Sequence, residues 1–273
     1  MSNVQPRSSA AYAGGKLIVE LDGPVGWIVF NNPDRRNAIS TAVWEALPAA
    51  IDSLEADAAV RIVALRGAGD KAFVAGLDIS EFDKALPTQN HVPQFEAMVS
   101  RASSRLRGCT KPTLAMVRGF CIGAGMQMIG DCDLCIAADD SKFALTAAKM
   151  GLGYPAGSLK HLCDLIGERH AKNILFSART FSAEEAYAMG LVNMVVAAAE
   201  LEGAARKYCE LIAANAPLSI AGIKKAVAML RRAATKDYIA EVEALNARCV
   251  ASEDFAEGQK AFFEKRKPQF KGR

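Results

Sequence analysis

Apolar and polar residues change period several times along the chain, and each change marks an element. Lys16 to Leu21 and Val25 to Phe30 are short β-rich runs separated by Asp22-Gly23-Pro24, a turn signal, so the spacing predicts a hairpin. After the polar stretch Asn31 to Asn37, Ser40 is placed to cap a helix. Its apolar positions Val43, Trp44, Leu47, Ile51 and Leu54 recur at helical spacing, with a kink expected at Pro48. Arg61 to Leu65 reads as a buried strand. A glycine-broken stretch, Gly67 to Gly76, then leads into Leu77-Asp78-Ile79-Ser80-Glu81-Phe82, and Pro87 to Pro93 reads as a polar loop and candidate lid.

A helix is expected from about Pro93 to Arg107, then the apolar strand Thr113 to Val117. Through Gly119, Gly123 and Gly125 the chain next turns from strand to helix, ending on Gln127. Asp131-Cys132-Asp133 breaks that helix, and Leu134 to Ala137 forms another strand. Strands and helices thus alternate through the first half, which predicts an α/β core. From Pro155 the pattern is mostly helical. Ser182 caps a helix ended by Gly190, Leu191 to Val196 is a last short strand, and three helical stretches follow. The expected division is a loose tail over 1–15, an α/β body over 16–200 and a helical region over 201–273.

Composition narrows the classes. Apolar residues are 51% and charged residues 23% of the 273, ordinary values for a globular protein. A formal charge of +3, with basic residues scattered except near the C-terminus, leaves no electrostatic footprint for nucleic acid. No apolar run approaches the ~18 residues that span a bilayer, and Met1 to Gly15 resembles no targeting segment, so a cytoplasmic protein is the expectation. The seven cysteines read as free buried thiols. Cys132 and Cys135 form a CxxC without the second ligand pair of a zinc site, and no metal is expected.

Chemistry is most concentrated in two glycine-containing turns, Phe73-Val74-Ala75-Gly76-Leu77-Asp78 and Gly119 to Gln127, each placed before a helix. The first N–H groups of a helix lack internal partners and sit at the positive end of its dipole, which suits a developing oxyanion. Tight helix–sheet packing would also explain Gly123, Ala124 and Gly125. Neither turn carries a nucleotide-binding pattern.

These residues resemble the crotonase (enoyl-CoA hydratase/isomerase) superfamily, from Arg36-Asn37-Ala38-Ile39 to the end of the chain. The matching motifs run in order: Lys71 to Ile79, Lys111-Pro112 with Gly119-x-x-x-Gly123-Ala124-Gly125, Cys132-Asp133 with Ala137, and Phe262-Phe263-Glu264-Lys265-Arg266. The resemblance implies an α/β spiral of stacked ββα units with a helical C-terminal trimerisation region, assembled as a homo-trimer or dimer of trimers. It implies coenzyme A as part of the substrate and no resident cofactor. By the same resemblance the backbone N–H groups of Leu77 and Ala124 form the oxyanion hole, with Phe73, Ala75, Gly76 and Gly123 around the thioester. Arg36 and Ala38 hold the coenzyme A diphosphate and adenosine, and Phe262 with Lys265 completes that pocket from a neighbouring subunit.

Two departures stand out. The hydratases of this family use two glutamates to activate and deliver water, and this chain has Gln127 and Ala147 at those positions. Each proton-transfer group contributes roughly 10²–10⁴ in rate, so standard hydration is expected to fail. Glu81, His91 and Tyr154, with Asp83, are the candidate substitutes, while Asp78 is expected to support its loop. Ser158 and His161 stand three apart on a predicted helix and raise a serine-hydrolase arrangement, without a nucleophile elbow. The expected activity is acyl-CoA chemistry through a thioester enolate. Decarboxylation, thioester hydrolysis and an inactive CoA-binding protein are the alternatives, and RNA binding through Lys265, Arg266 and Lys267 is a weaker one.

Overall fold

The computed structural model describes residues 9–78, 92–150, 154, 156–230, 241, 244 and 247–273. Strand β1 (Ser9–Tyr12) pairs antiparallel with β2 (Leu17–Asp22), which pairs antiparallel with β3 (Val25–Phe30). Asp22 stands opposite Val25, so Gly23 and Pro24 alone make the turn, with Gly23 at φ 59°. The expected loose tail thus contains a strand. Its sequence Ser-Ala-Ala-Tyr has too little apolar contrast to announce one, and its order comes from pairing with β2 at the sheet edge. All of β3 is buried, and its alternating side chains feed two cores: Ile28 and Phe30 on one face, Val25, Trp27 and Val29 on the other.

Helix α1 (Thr41–Ala56) begins at Ser40, whose Oγ accepts the Val43 N–H at 3.4 Å, and it continues through Pro48. It buries Val43, Trp44, Leu47, Ile51 and Leu54 in the core that Phe30 enters. A repeated unit follows. Strands β4 (Ile62–Gly67) and β5 (Ala72–Val74) precede helix α2 (Val92–Arg107). Strands β6 (Thr113–Val117) and β7 (Phe120–Ile122) precede α3 (Ala124–Asp131), and β8 (Leu134–Ala138) and β9 (Lys142–Ala144) precede α4 (Ala156–Ser177). The first strand of each unit joins a seven-stranded sheet ordered β1-β2-β3-β4-β6-β8-β11, parallel from β3 onward, where β11 is Met194–Val196. The second joins a four-stranded sheet ordered β10-β9-β7-β5, where β10 is Phe181–Ser182. The chain is therefore a spiral of stacked ββα units, each turn carrying it from one sheet to the other.

Helix α5 (Ala183–Ala188) starts with a reciprocal capping box between Ser182 and Glu185, and Gly190 follows it at φ 80°. Ser182→Ala is expected to cost about 1 kcal/mol, read as a lowered urea midpoint with an unchanged denaturant slope. Helix α6 (Leu201–Ala213) lays Leu201, Ala205 and Cys209 on the large sheet's outer face beside Trp27 and Ile62. Helices α7 (Pro217–Leu230) and α8 (Glu253–Phe263) are tied back to the same body. Lys224 pairs with Asp133 at 2.7 Å, and Arg61 donates to the Phe270 carbonyl at 2.6 Å. The division expected at residue 200 is thus a change of secondary structure without a break in packing. Among the described residues no single helix is long and apolar enough to cross a membrane.

Candidate active site

The two glycine turns meet. After β5 the chain passes Gly76 at φ 111° and makes one parallel bridge between Ile39 and Leu77. Ile39 N–H donates to the Gly76 carbonyl and Asp78 N–H donates to the Ile39 carbonyl, both at 2.9 Å. Ile39 therefore takes both bridge bonds, and the N–H of Leu77 between them is directed to the opposite side. Across from it, Gly123 at φ 53° is the N-cap of α3 and Ala124 is its first residue, whose N–H has no partner within the helix. A Cβ on Gly123 would lie 3.8 Å from the Gly76 Cα, which places the turns in contact range of each other. Gly125 serves packing: a Cβ there would be 2.6 Å from the Val74 carbonyl oxygen.

A buried polar network fixes the first turn. Asn37 is 1% exposed at φ 56°, donates to the carbonyls of Ala68 (2.9 Å) and Ala72 (2.7 Å), and accepts the Asn32 N–H (3.0 Å). Asp78, also buried, pairs with Arg35 at 3.1 Å, in keeping with a supporting role. Arg36 is exposed, with its guanidinium 5.1 Å above the Phe120 ring, and Ala38 is half-buried beside it in sequence. Ala75 N–H donates to the Arg36 carbonyl at 3.1 Å, so this segment and the glycine turn hold each other. Phe73 requires a correction. Its side chain is fully buried edge-on to Phe30, with ring centroids 5.6 Å apart, so only its backbone can face a ligand.

Beside α3 lies a small, partly open cleft. Met126, Leu145, Leu162 and Leu165 supply apolar wall, and Gln127, Tyr154, Ser158 and His161 supply polar groups. Burial pushes the Tyr154 phenol up to about 12, which keeps it a neutral hydrogen-bond donor at neutral pH. Ala147 is half-buried at the start of a short 3₁₀ turn and is not among the cleft's lining residues. No carboxylate lines the cleft among the described residues.

A carboxylate does stand behind it. Asp131, four residues after Gln127 and 3% exposed, pairs with Arg107 and accepts from the Gln127 amide nitrogen at 3.2 and 3.4 Å. That nitrogen also lies 3.4 Å from the Ser103 hydroxyl. His161 Nε2 lies 2.5 Å from the Gly130 carbonyl oxygen and 3.7 Å from the Asp131 carboxylate. Burial pushes the Asp131 carboxyl up, while Arg107 above all, with Ser103, Gln127 and His161, opposes that shift. From the sequence, Asp131 reads as a helix breaker. The signal available there is its spacing of four from Gln127 on the one face of an apolar helix.

Glu81, Asp83 and His91 lie outside the described residues. Phe262 belongs to α8, and Lys265 is exposed at φ 52° just beyond that helix. Arg266 makes a bidentate pair with Glu257 (2.6 and 2.9 Å) and meets Glu264 at 2.5 Å, which neutralises the middle of the basic run. Cys132 and Cys135 are core residues whose thiols burial pushes up, away from thiolate chemistry.

The sequence profile of the enoyl-CoA hydratase/isomerase family matches residues 20–273. A short-chain-enoyl-CoA hydratase of Clostridium acetobutylicum is 32% identical over 258 residues, 94% of this chain and 98% of that protein. A methylmalonyl-CoA decarboxylase of Escherichia coli is 33% identical over 252 residues, 91% of this chain and 95% of that protein. Among solved structures, an enoyl-CoA hydratase/isomerase family protein from Hyphomonas neptunium superposes with a TM-score of 0.90 at 33% identity, covering 94% of this chain and 98% of its own. With a family profile spanning nearly the whole chain and relatives above 30% identity over nearly their whole length, the chain belongs to the crotonase (enoyl-CoA hydratase/isomerase) family.

Proposed function

We propose that this protein acts on an acyl-CoA thioester through an enolate whose oxygen is held by the N–H groups of Leu77 and Ala124, and that it forms this enolate by decarboxylating a malonyl-type thioester. The observation that carries the reading is the meeting of two donor-bearing turns beside a cleft with no carboxylate among its described lining residues. Hydration needs a base for water and an acid for the α-carbon. Loss of CO₂ needs neither at the first step. The electrons of the Cα–carboxylate bond move into the thioester, the oxyanion collects the charge, and a proton then arrives at Cα.

Met126, Leu145, Leu162 and Leu165 favour this step, because a carboxylate loses hydration among apolar side chains while a departing CO₂ does not need it. The similarity to the decarboxylase of Escherichia coli supports the same choice, and the similarity to hydratases keeps hydration as its competitor. Coenzyme A enters as part of the substrate. The assembly in this reading is a homo-trimer or dimer of trimers, in which Phe262 and Lys265 of a neighbouring subunit complete the pocket around Arg36.

Purified protein mixed with malonyl-CoA or methylmalonyl-CoA is expected to release CO₂ and leave acetyl-CoA or propionyl-CoA, with slow loss of the crotonyl-CoA chromophore. Rapid hydration of crotonyl-CoA with no CO₂ from either malonyl thioester overturns the proposal.

A further inference from the structure

We propose that Phe120 is a positioning residue for the nucleotide end of coenzyme A: its ring holds the Arg36 guanidinium over β7, ready for the diphosphate. This rests on the acyl-CoA reading above and adds a residue that acts on the substrate only through Arg36. Phe120 opens β7 and is the most exposed residue of that strand, at 36%. The Arg36 guanidinium lies 5.1 Å from the centre of its ring, within the range of a cation–π contact. Stacking uses the flat face of a guanidinium and leaves its N–H edges in the plane, the geometry that takes phosphate oxygens in pairs. Arg35 takes Asp78 as its partner, while Arg36 meets no carboxylate at ion-pair distance among the described residues. An arginine held by a ring before the ligand arrives loses less rotamer freedom on binding.

The backbone aims the same side chain. Arg36 and Asn37 are consecutive left-handed residues, at φ 52° and 56°, a conformation that costs any residue with a Cβ. It is held by the Asn37 hydrogen bonds to the Ala68 and Ala72 carbonyls and by Ala75 N–H, which donates to the Arg36 carbonyl. Strand pairing sets Lys142 of β9 opposite Phe120, and partners in parallel strands point to one face, so an exposed ammonium group joins the same surface. Glu184 of α5 lies in electrostatic range of Lys142, and Glu185 is taken up by Arg179 at 2.6 Å. Both halves of the stack lead directly to the oxyanion donors. Three residues after Arg36, Ile39 is bridged to Leu77, and four after Phe120, Ala124 opens α3. At ~3.3–3.6 Å per residue, Phe120 stands no more than about 14 Å from Ala124, within reach of the pantetheine arm that joins thioester to diphosphate.

Isothermal titration of the full-length protein with coenzyme A reads this contact without any turnover. Phe120→Leu is expected to weaken binding about threefold to tenfold at an unchanged melting temperature, and Phe120→Trp, which keeps a ring under the guanidinium, to bind as the wild type does or more tightly. Arg36→Ala is expected to weaken binding more than Phe120→Leu. Adding Phe120→Leu to Arg36→Ala is expected to change nothing further, because the ring acts only through the guanidinium. Equal losses from Phe120→Leu in both backgrounds would make the ring a packing element, and wild-type affinity in Phe120→Leu would remove it from the site; either result overturns the proposal. A wild-type protein that binds no coenzyme A overturns the acyl-CoA reading and this proposal with it. Coenzyme A binding with the expected cycle, but without CO₂ from malonyl thioesters, sinks decarboxylation and leaves Phe120 in place.

Discussion

Ala124→Pro is expected to lower kcat by about 10²–10³-fold while leaving the fold and coenzyme A affinity close to those of the wild type, the loss measured when one preorganised oxyanion donor is removed. The substitution is selective for a structural reason. Ala124 is the first residue of α3, where proline is well tolerated because the N–H has no partner within the helix and the ring's fixed φ suits a helix's first turn. Gly123 before it, at φ 53° and ψ −102°, is a glycine and escapes the Cβ clash that restricts other residues preceding proline. The only chemical group deleted is the donor itself. Steady-state kinetics with the best malonyl-type thioester, beside isothermal titration with coenzyme A, separates the outcomes. Equal loss in kcat and kcat/KM places the donor in the transition state, whereas a rise in KM alone would make the turn a binding element and remove Ala124 from the oxyanion hole.

That test is possible because the two turns were legible as chemistry before their contact was known. Gly76 and Gly123 stood out as backbone-exposing positions ahead of helices, and the long elements followed from periodicity. The alternation of Val25 to Phe30 and the helical spacing of Val43 to Leu54 reflect burial on sheet faces and one helix face, and both are local patterns. The second sheet was not legible as a sheet. Its strands are two or three residues long, too short for a period of two, and each exists because the chain turns back after a longer strand and finds the previous unit's short strand beside it. Asp131 was hidden for a related reason. Its meaning comes from Arg107 on α2 and His161 on α4, partners 24 and 30 positions away, and nothing local distinguishes it from the Asp133 that follows.

The same buried carboxylate makes a glutamate at position 127 costly. The Gln127 amide nitrogen lies 3.2 and 3.4 Å from the Asp131 oxygens and donates to them; Gln127→Glu would set a second carboxylate oxygen there instead. Two carboxylates at hydrogen-bond distance share one proton, so the pair's upper pKa rises well above the ordinary range. Asp131 is already pushed up by burial, which strengthens the effect. A group with a raised pKa in the folded state, if acidic, destabilises the fold once pH exceeds its unfolded value. The penalty of Gln127→Glu is therefore expected to be small near pH 4, to grow as pH rises through the neutral range, and to level off once the pair is fully ionised. Each tenfold loss of acidity in the folded state relative to the unfolded chain costs ~1.4 kcal/mol once pH exceeds both ranges. Chemical denaturation of the variant and wild type between pH 4.5 and 8.5 reads this directly, and a difference that shrinks with rising pH would contradict the shared-proton account. The variant is also expected to gain no crotonyl-CoA hydration near neutral pH, because a carboxyl that must keep its proton to coexist with Asp131 is unavailable as a base. In this chain the environment of position 127 is therefore built for a neutral amide.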